Sequence, residues 1–170
     1  APADRERAIA RALEAGVNYF DTAAQYGDGQ SEKNLGLALK KLKPANAVVA
    51  TKVRLKPAEF ARIADAVTRS LDASLARLQM ERVDIFHLHN EITDAGGGET
   101  LSARQVLQEV APAFERLRQA GKIGHLGLTA IGDTVALKEA VDAGAFASAQ
   151  VVCNMLNPSA AQPLPANYPA

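Results

Sequence analysis

The sequence predicts an α/β fold, a (β/α)₈ TIM barrel that is incomplete in this chain, and three observations favour it. Apolar runs of strand length alternate with segments of helical periodicity along the chain. Four predicted strands end in polar residues, as strands do at the active face of such a barrel, namely Asp21, Lys52, His89 and Thr129. No G-x-G-x-x-G motif follows a strand, which disfavours a doubly wound sheet that binds a dinucleotide. We therefore expect residues 1–170 to form one partial barrel domain.

The first two helices enclose a short strand and a glycine-rich loop. Asp4 predicts the N-cap of a first helix, which Gly16 ends. Residues 17–20 then form the first strand, which leads into Asp21 and the loop that carries Tyr26. Ser31 predicts the N-cap of a second helix over residues 31–43, ahead of a proline. A carboxylate at a strand end, followed by a phenol on a glycine loop, indicates a functional loop on a rigid scaffold.

The middle of the chain repeats the alternation. Residues 47–52 form a nearly continuous apolar run, which is typical of a parallel strand that helices cover on both faces. Pro57 begins a long helix, and residues 82–89 form the third strand. Residues 90–101 are polar, contain three consecutive glycines and lack periodicity, so the sequence predicts a long loop.

The last third of the chain predicts two more helices and two more strands. One helix begins around Pro112, and residues 122–129 follow it as the fourth strand. Asp133 predicts the N-cap of the next helix, and residues 149–153 form the fifth strand. Residues 157–170 are rich in proline and predict no helix. Because five strands cannot close an eight-stranded barrel, we expect the chain to stop within the fold.

The composition excludes several classes of protein. The chain has 170 residues, a formal net charge of +0 and 48% hydrophobic residues, so its charge does not favour binding to nucleic acid or to a membrane surface. No apolar run is long enough to span a membrane. The one cysteine, Cys153, cannot form an internal disulfide, and we expect it to be a buried small hydrophobe. These features predict a protein of a reducing compartment, the cytoplasm.

The polar residues at the strand ends form a plausible proton-transfer group. A phenol ordinarily ionises near pH ~10, and an adjacent ammonium favours the phenolate. Tyr26 and Lys52 supply this pair, and Asp21 would hold the lysine in place. An imidazole opposite the phenol, that of His89, could orient a substrate oxygen. The set suits the protonation of an oxygen that gains negative charge, as in carbonyl reduction.

Several segments, taken in order, resemble the aldo-keto reductase family. The segment GVNYFDTAAQYGDGQSEKNLG resembles the signature of that family, VVATK its lysine strand and VDIFHLH its histidine strand. AFERLRQAGKIGHLGLTAIGD and SAQVVCNMLNP resemble its fifth and sixth barrel strands with their flanks. The resemblance implies that the first strand and the last two βα units of the barrel lie outside this chain. It also implies a catalytic tetrad of Asp21, Tyr26, Lys52 and His89, with Tyr26 as the general acid.

The resemblance further implies a nicotinamide cofactor and a small-molecule carbonyl substrate. Asp21, Thr129 and Gln150 match positions near the nicotinamide, and NADP is expected from the family, with NAD as the alternative. Ala130 stands where many members of the family carry an asparagine that contacts the carboxamide. We expect this chain by itself to be inactive, because the loops of the family that hold the cofactor phosphates would follow Ala170.

Two other functions remain open at this point. His87 and His89 are two apart on a strand and share a face, as in metal-dependent hydrolases of barrel fold, but no third ligand is evident and we expect no metal site. We interpret His87 as a packed core residue and His125 as structural. The second alternative is a catalytically silent subunit of the same fold that binds a nicotinamide nucleotide.

Overall fold

The computed structural model describes residues 2–156, with side chains from Asp4 onward. Its strands are β1 Tyr19–Asp21, β2 Val48–Val53, β3 Val83–Leu88, β4 Ile92–Thr93, β5 Leu101–Ser102, β6 Ile123–Thr129 and β7 Ser148–Gln150. Its helices are α1 Pro2–Glu14, α2 Gln30–Leu42, α3 Ile63–Leu78, α4 Ala103–Gln105, α5 Ala111–Gln119 and α6 Thr134–Asp142. A 3₁₀ segment, Pro57–Arg62, precedes α3, and a π-helical turn, Val106–Val110, joins α4 to α5.

Five strands form one parallel sheet in the order β1-β2-β3-β6-β7, which is also their order along the chain. A doubly wound sheet would reverse the order of its strands at a switch point, whereas a barrel adds each strand on the same side. In a flat sheet, four spacings of about 4.8 Å would separate β1 from β7 by roughly 19 Å. Instead, the Gln150 amide on β7 donates a hydrogen bond of 2.8 Å to Asp21 on β1. The sheet is therefore strongly curled, and the predicted incomplete (β/α)₈ barrel is confirmed.

The main hydrophobic core lies between the curled sheet and the helices outside it. On α3, the apolar residues at helical spacing, Ile63, Val67, Leu71, Leu75 and Leu78, are all buried and form the inner face of the helix. They form one core cluster with strand residues such as Val53, Phe86 and Leu128, and the ring of Phe86 lies against that of Phe114 of α5 at 4.8 Å between ring centroids. On α6, Ala136 and Ala140 are buried, whereas Val141 lies on the outer side and is 47% exposed.

The predicted loop at residues 90–101 is wrong in part, because two apolar residues within it form a small parallel ladder. Ile92 pairs with Leu101, and both side chains are fully buried. The glycines between them have positive φ and close a tight turn, in which Gly97 and Thr100 exchange backbone hydrogen bonds of 3.1 and 3.0 Å. Without this turn, the segment would not return to bury Leu101.

The helix expected around Pro112 is confirmed as α5, which begins at Ala111, and α4 and the π-helical turn lead into it. Helix α4 begins after Ser102 because Ser102 and Gln105 form a capping box, in which the Ser102 hydroxyl accepts from the Gln105 N–H at 3.2 Å. The predicted N-cap of the second helix is wrong. Ser31 lies inside α2 and does not cap it; the N-cap is Gly29, in the left-handed region at φ 78°. The Ser31 hydroxyl instead accepts a hydrogen bond of 2.8 Å from the Thr22 hydroxyl.

The end of the described chain departs from the sequence prediction. Strand β7 covers Ser148–Gln150, so it ends three residues before the predicted boundary. Cys153 lies beyond it and is exposed, which contradicts its predicted burial, because no element covers the chain there within the described residues. The proline-rich segment 157–170 lies outside the residues that the structure describes. Within residues 2–156, no helix has the length and apolar character that crossing a membrane would require.

Candidate active site

The parallel strands bring polar residues together at one edge of the curled sheet. Asp21, Thr129 and Gln150 are the last residues of β1, β6 and β7, Lys52 is the penultimate residue of β2, and His89 directly follows β3. Since all five strands run in the same direction, these residues share the carboxyl edge. Every site residue that the sequence predicted except Tyr26, which lies on the loop after β1, is therefore placed by a strand end.

Lys52 is the buried centre of the cluster. Its side chain is only 2% exposed, and its ammonium lies 2.5 Å from the Asp21 carboxylate and 3.0 Å from the Thr22 carbonyl oxygen. Burial of a charge is costly unless hydrogen bonds and an opposite charge compensate it. Asp21 and Thr22 provide both, so they fix the position of the lysine at the end of β2.

Tyr26 lies against this lysine. The ammonium of Lys52 is 3.5 Å from the Tyr26 hydroxyl oxygen, at the outer limit of a hydrogen bond, and 5.0 Å from the centroid of the ring. The residue is 42% exposed, so the hydroxyl lies between a buried charge and open space. The loop that holds it is a tight turn, in which the Tyr26 N–H donates to the Ala23 carbonyl and the Ser31 N–H donates to the Tyr26 carbonyl, both at 3.1 Å.

His89 faces the edge of the tyrosine ring. The two ring centroids are 6.1 Å apart and the planes meet at 83°, an edge-to-face arrangement. Burial lowers the pKa of the His89 imidazole below its usual 6.5, and the charges of Lys52 and Arg54 lower it further. The ring is thus neutral at neutral pH, when an imidazole has one donor and one acceptor nitrogen. The backbone N–H of His89 donates to the Val53 carbonyl at 2.8 Å, which anchors the residue to β2.

His87 lies deeper on the same face and is fully buried, as predicted for a core residue. Burial, followed by the charge of Lys52, lowers the pKa of its imidazole from 6.5 to about 4. Its Nε2 lies 3.2 Å from the Ser148 hydroxyl, and its ring fills the space above Gly127, where a Cβ would lie only 2.3 Å from the ring. Among residues 2–156, no group of three or more His, Cys, Asp and Glu side chains could hold a metal ion.

Gln150 and Thr129 complete the edge on the side of β6 and β7. The Gln150 amide donates to the carboxylate of Asp21 at 2.8 Å, and the Thr129 hydroxyl donates to the Leu88 carbonyl at 3.1 Å. An amide and a hydroxyl are the groups that match the donor and acceptor of a carboxamide, so the residues present fit a nicotinamide. At Ala130, the position for which the sequence comparison expected an asparagine, the backbone N–H donates to the Gln150 carbonyl at 2.8 Å.

The sequence did not predict the ion pair between Glu32 and Arg77, which lies next to the strand of Lys52. Glu32 of α2 is fully buried, accepts a hydrogen bond of 2.6 Å from the Thr51 hydroxyl and lies 2.5 Å from Arg77 of α3. Thr51 is the neighbour of Lys52, and Arg77 packs directly against Gly29 at the start of α2. The pair therefore joins the loop of Tyr26 to the strand of Lys52. A glutamate at one position and an arginine 45 residues later give no local signal of this contact.

A cavity of about 680 Å³ adjoins the other side of the tyrosine loop, between α1, α2 and β1. Asp21 and Tyr26 contribute to its wall, but Lys52 and His89 do not. Tyr19, Phe20 and Asp21 all line it, so it lies along the free edge of β1, and it shares Asp21 and Tyr26 with the cluster at the carboxyl edge.

Comparison with known proteins places this geometry in a family. The model of the aldo/keto reductase family matches residues 1–166. The L-galactose dehydrogenase of Arabidopsis thaliana is 38% identical over 135 residues, which are 76% of this chain and 40% of that protein. The aflatoxin B1 aldehyde reductase member 2 of Rattus norvegicus is 37% identical over 118 residues, 69% of this chain and 29% of that protein.

Solved structures of the same family are also similar to this chain. The glycerol dehydrogenase of Gluconobacter oxydans matches with a TM-score of 0.71 and 27% identity over 92% of this chain and 47% of its own. An aldo/keto reductase of Klebsiella pneumoniae, solved in complex with NADP and acetate, matches with a TM-score of 0.68 and 29% identity over 89% of this chain and 49% of its own. The chain thus spans less than half the length of these relatives. With the family model matched over nearly the whole chain, and the strand order and the polar carboxyl edge as described, the chain belongs to the aldo/keto reductase family.

Proposed function

We propose that the protein is an NADP-dependent oxidoreductase that reduces an aldehyde or ketone to an alcohol, with Tyr26 as the general acid. One observation carries the proposal: the Tyr26 hydroxyl lies 3.5 Å from the ammonium of Lys52, which Asp21 holds at 2.5 Å, while His89 faces the ring of Tyr26 at 6.1 Å. A proton donor, a fixed charge and a neutral imidazole thus surround one point at the carboxyl edge.

The cofactor side of the proposal rests on Asp21, Thr129 and Gln150. These residues would hold the carboxamide of the nicotinamide at the ends of β1, β6 and β7, and the NADP complex of the Klebsiella relative supports this cofactor. NAD remains the alternative, because the nicotinamide half is common to both nucleotides. When bound, the reduced nicotinamide supplies the hydride.

The residues of the chain supply the proton and the orientation. As the carbonyl oxygen gains negative charge, the Tyr26 hydroxyl transfers its proton to that oxygen, and the phenolate left behind lies beside the Lys52 ammonium. Asp21 keeps the ammonium in place. Because the pKa of His89 is lowered, its neutral ring orients the carbonyl oxygen by hydrogen bonding and does not compete as the acid. The product is an alcohol, formed from the carbonyl, the hydride and this proton.

A silent nicotinamide-binding subunit is the other function that the same site would allow, and turnover separates it from an enzyme. We further propose that the protein acts in the cytoplasm. Residues 1–170 by themselves are proposed to be inactive, because they match less than half the length of these relatives.

Replacement of Tyr26 by phenylalanine tests the proposal in the intact protein. Tyr26→Phe removes only the hydroxyl, so NADPH should bind normally while kcat for a panel of aldehydes falls by about 10²–10⁴-fold. Thr68→Val is the control, since it removes a hydroxyl that donates only to the Ala64 carbonyl within α3, away from the carboxyl edge, and it should keep most of the turnover. If Tyr26→Phe retained more than about a tenth of kcat, well above the residual activity expected, Tyr26 would not be the acid.

A further inference from the structure

The carboxyl end of β2 presents a second cation beside the site. Lys52 lies opposite His87 in the pairing of β2 with β3, and Val53 lies opposite Leu88. One step further, the His89 N–H still donates to the Val53 carbonyl, which sets Arg54 beside His89. Since alternate residues of a strand share a face, Arg54 and His89 leave the sheet on the same side as Lys52 and His87. The guanidinium is close enough for its charge to contribute to the lowered pKa of His89.

The guanidinium of Arg54 forms an ion pair with a carboxylate of the same chain. Arg54 lies 2.8 Å from the carboxylate of Glu99, which belongs to the glycine-rich segment between β4 and β5. The backbone of Glu99 is held in turn by Asn90, a fully buried residue whose amide donates to the Glu99 carbonyl at 2.9 Å. The same Asn90 side chain bonds both the N–H and the carbonyl of Leu55, at 2.8 Å each, directly after Arg54. The two partners are therefore positioned by one buried anchor.

The ion pair between Arg54 and Glu99 contributes little to the free energy of unfolding. Its side chains are 36% and 69% exposed, and exposed pairs of this kind contribute little because water screens them and the side chains lose freedom. The buried anchor Asn90 holds the backbone without help from the pair. A guanidinium binds carboxylates with a planar, two-pronged set of donors, so another carboxylate could replace that of Glu99 without disturbing the fold.

We propose that Arg54 determines specificity by binding the carboxylate of an aldehyde or keto acid, and that Glu99 occupies the guanidinium until such a substrate displaces it. The inference rests on the proposed function, since it names the class of carbonyl substrate that the same site prefers. It predicts opposite effects for the two partners of the pair, because loss of Arg54 removes the substrate contact whereas loss of the Glu99 charge removes a competitor.

A pair of matched aldehydes tests it in the intact protein. 4-Carboxybenzaldehyde carries the carboxylate, and methyl 4-formylbenzoate presents the same ring and aldehyde without the charge. Arg54→Gln should raise KM for the acid by about tenfold and leave KM for the ester unchanged, the effect expected from one charge-assisted contact. Glu99→Gln should lower KM for the acid and again spare the ester. Arg118→Gln breaks an exposed pair with Glu115 on α5 and is the control that should change neither.

Binding of benzoate, followed by nuclear magnetic resonance of the His89 ring, provides a measurement that does not need turnover. Benzoate should perturb His89 in the wild type, bind more tightly to Glu99→Gln and bind measurably less to Arg54→Gln. The inference is overturned if Glu99→Gln raises KM for the acid or weakens the binding of benzoate. It is also overturned if Arg54→Gln changes KM for the acid and for the ester by the same factor. If neither aldehyde is reduced, the proposed function fails, and the benzoate titration alone decides whether Arg54 binds carboxylates.

Discussion

Two histidines that are separated by a single residue occupy different environments in this molecule. His87 is fully buried beside Gly127 and Ser148, whereas His89 is half-buried and faces Tyr26. Burial is the largest cause of the lowered pKa in both. What differs is exposure, because only His89 is partly exposed at the carboxyl edge. The sequence placed both on one face, and the interpretation of His87 as a core residue is confirmed.

The buried His87 makes stability depend on pH. Its pKa is about 4 in the folded protein and about 6.5 in the unfolded chain, so between these values the unfolded state binds a proton that the folded state rejects. The free energy of unfolding should therefore fall as the pH decreases from about 6.5 to about 4, by about 3 kcal/mol from this residue. Urea unfolding at a series of pH values measures the loss, and His89 acts in the same direction.

His87→Gln is the comparison, since it keeps a polar side chain but removes the titration. This variant should lose less stability over the same pH range than the wild type does, even if it is less stable at pH 8. An equal loss in both proteins would show that His87 does not titrate as described. A proton titration of the His87 ring by nuclear magnetic resonance gives the pKa directly.

At the scale of elements, the contact between α2 and α3 positions the tyrosine loop. The helices approach so closely at Gly36 that a Cβ there would lie 2.1 Å from the Leu78 carbonyl oxygen. One turn earlier on α2, Glu32 forms its buried ion pair with Arg77 of α3 and accepts from Thr51 of β2. Since α2 begins immediately after the loop, these contacts set the distance between Tyr26 and Lys52 without touching either side chain.

Gly36→Ala should therefore destabilise the protein, although alanine favours a helix over glycine by up to about 1 kcal/mol. The added methyl group meets backbone rather than a movable side chain, and overpacking of this kind typically costs about 1–3 kcal/mol. Thermal and urea unfolding measure the change. Leu37→Ala, at an exposed position of the same helix, should alter stability far less. Stabilisation by Gly36→Ala would mean that the helices separate freely.

At the scale of the whole molecule, the curl of the sheet decides which strand ends meet. The first and last strands of the five do not pair along their backbones, yet Gln150 on β7 donates to Asp21 on β1. The same Asp21 holds Lys52 through its other carboxylate oxygen. The proposed cofactor contact and the proposed proton donor are thus linked through one carboxylate, across a distance that only curvature closes.

Gln150→Ala tests this link in the intact protein. We expect NADPH to bind about tenfold more weakly, because one amide contact to the carboxamide and the hold on Asp21 are both lost. Calorimetric titration with NADPH measures the change. Gln119→Ala, which removes an exposed amide on α5, is the control and should bind as the wild type does. Unchanged affinity in Gln150→Ala would remove this residue from the proposed cofactor site.

The sequence by itself determined the order of the elements and the polar strand ends. Both follow from local signals: apolar runs of strand length, helical periodicity, and a polar residue where each run stops. Those signals were enough to predict the barrel, and they predicted that Asp21, Lys52 and His89 lie at one edge of the sheet. They failed where a local signal was ambiguous, as when Ser31 resembled a cap or when Ile92 and Leu101 lay within a polar segment.

Only the tertiary structure decided the contacts between distant residues. The Glu32–Arg77 pair, the Arg54–Glu99 pair and the hydrogen bond from Gln150 to Asp21 each join positions 45 or more residues apart. Periodicity shows which face a side chain leaves from, but not what it meets there, because the partner depends on the curl of the sheet and the packing of helices around it. The chemistry available at the carboxyl edge could be predicted from residue types, whereas the pairing of Glu99 with Arg54 beside that edge could not.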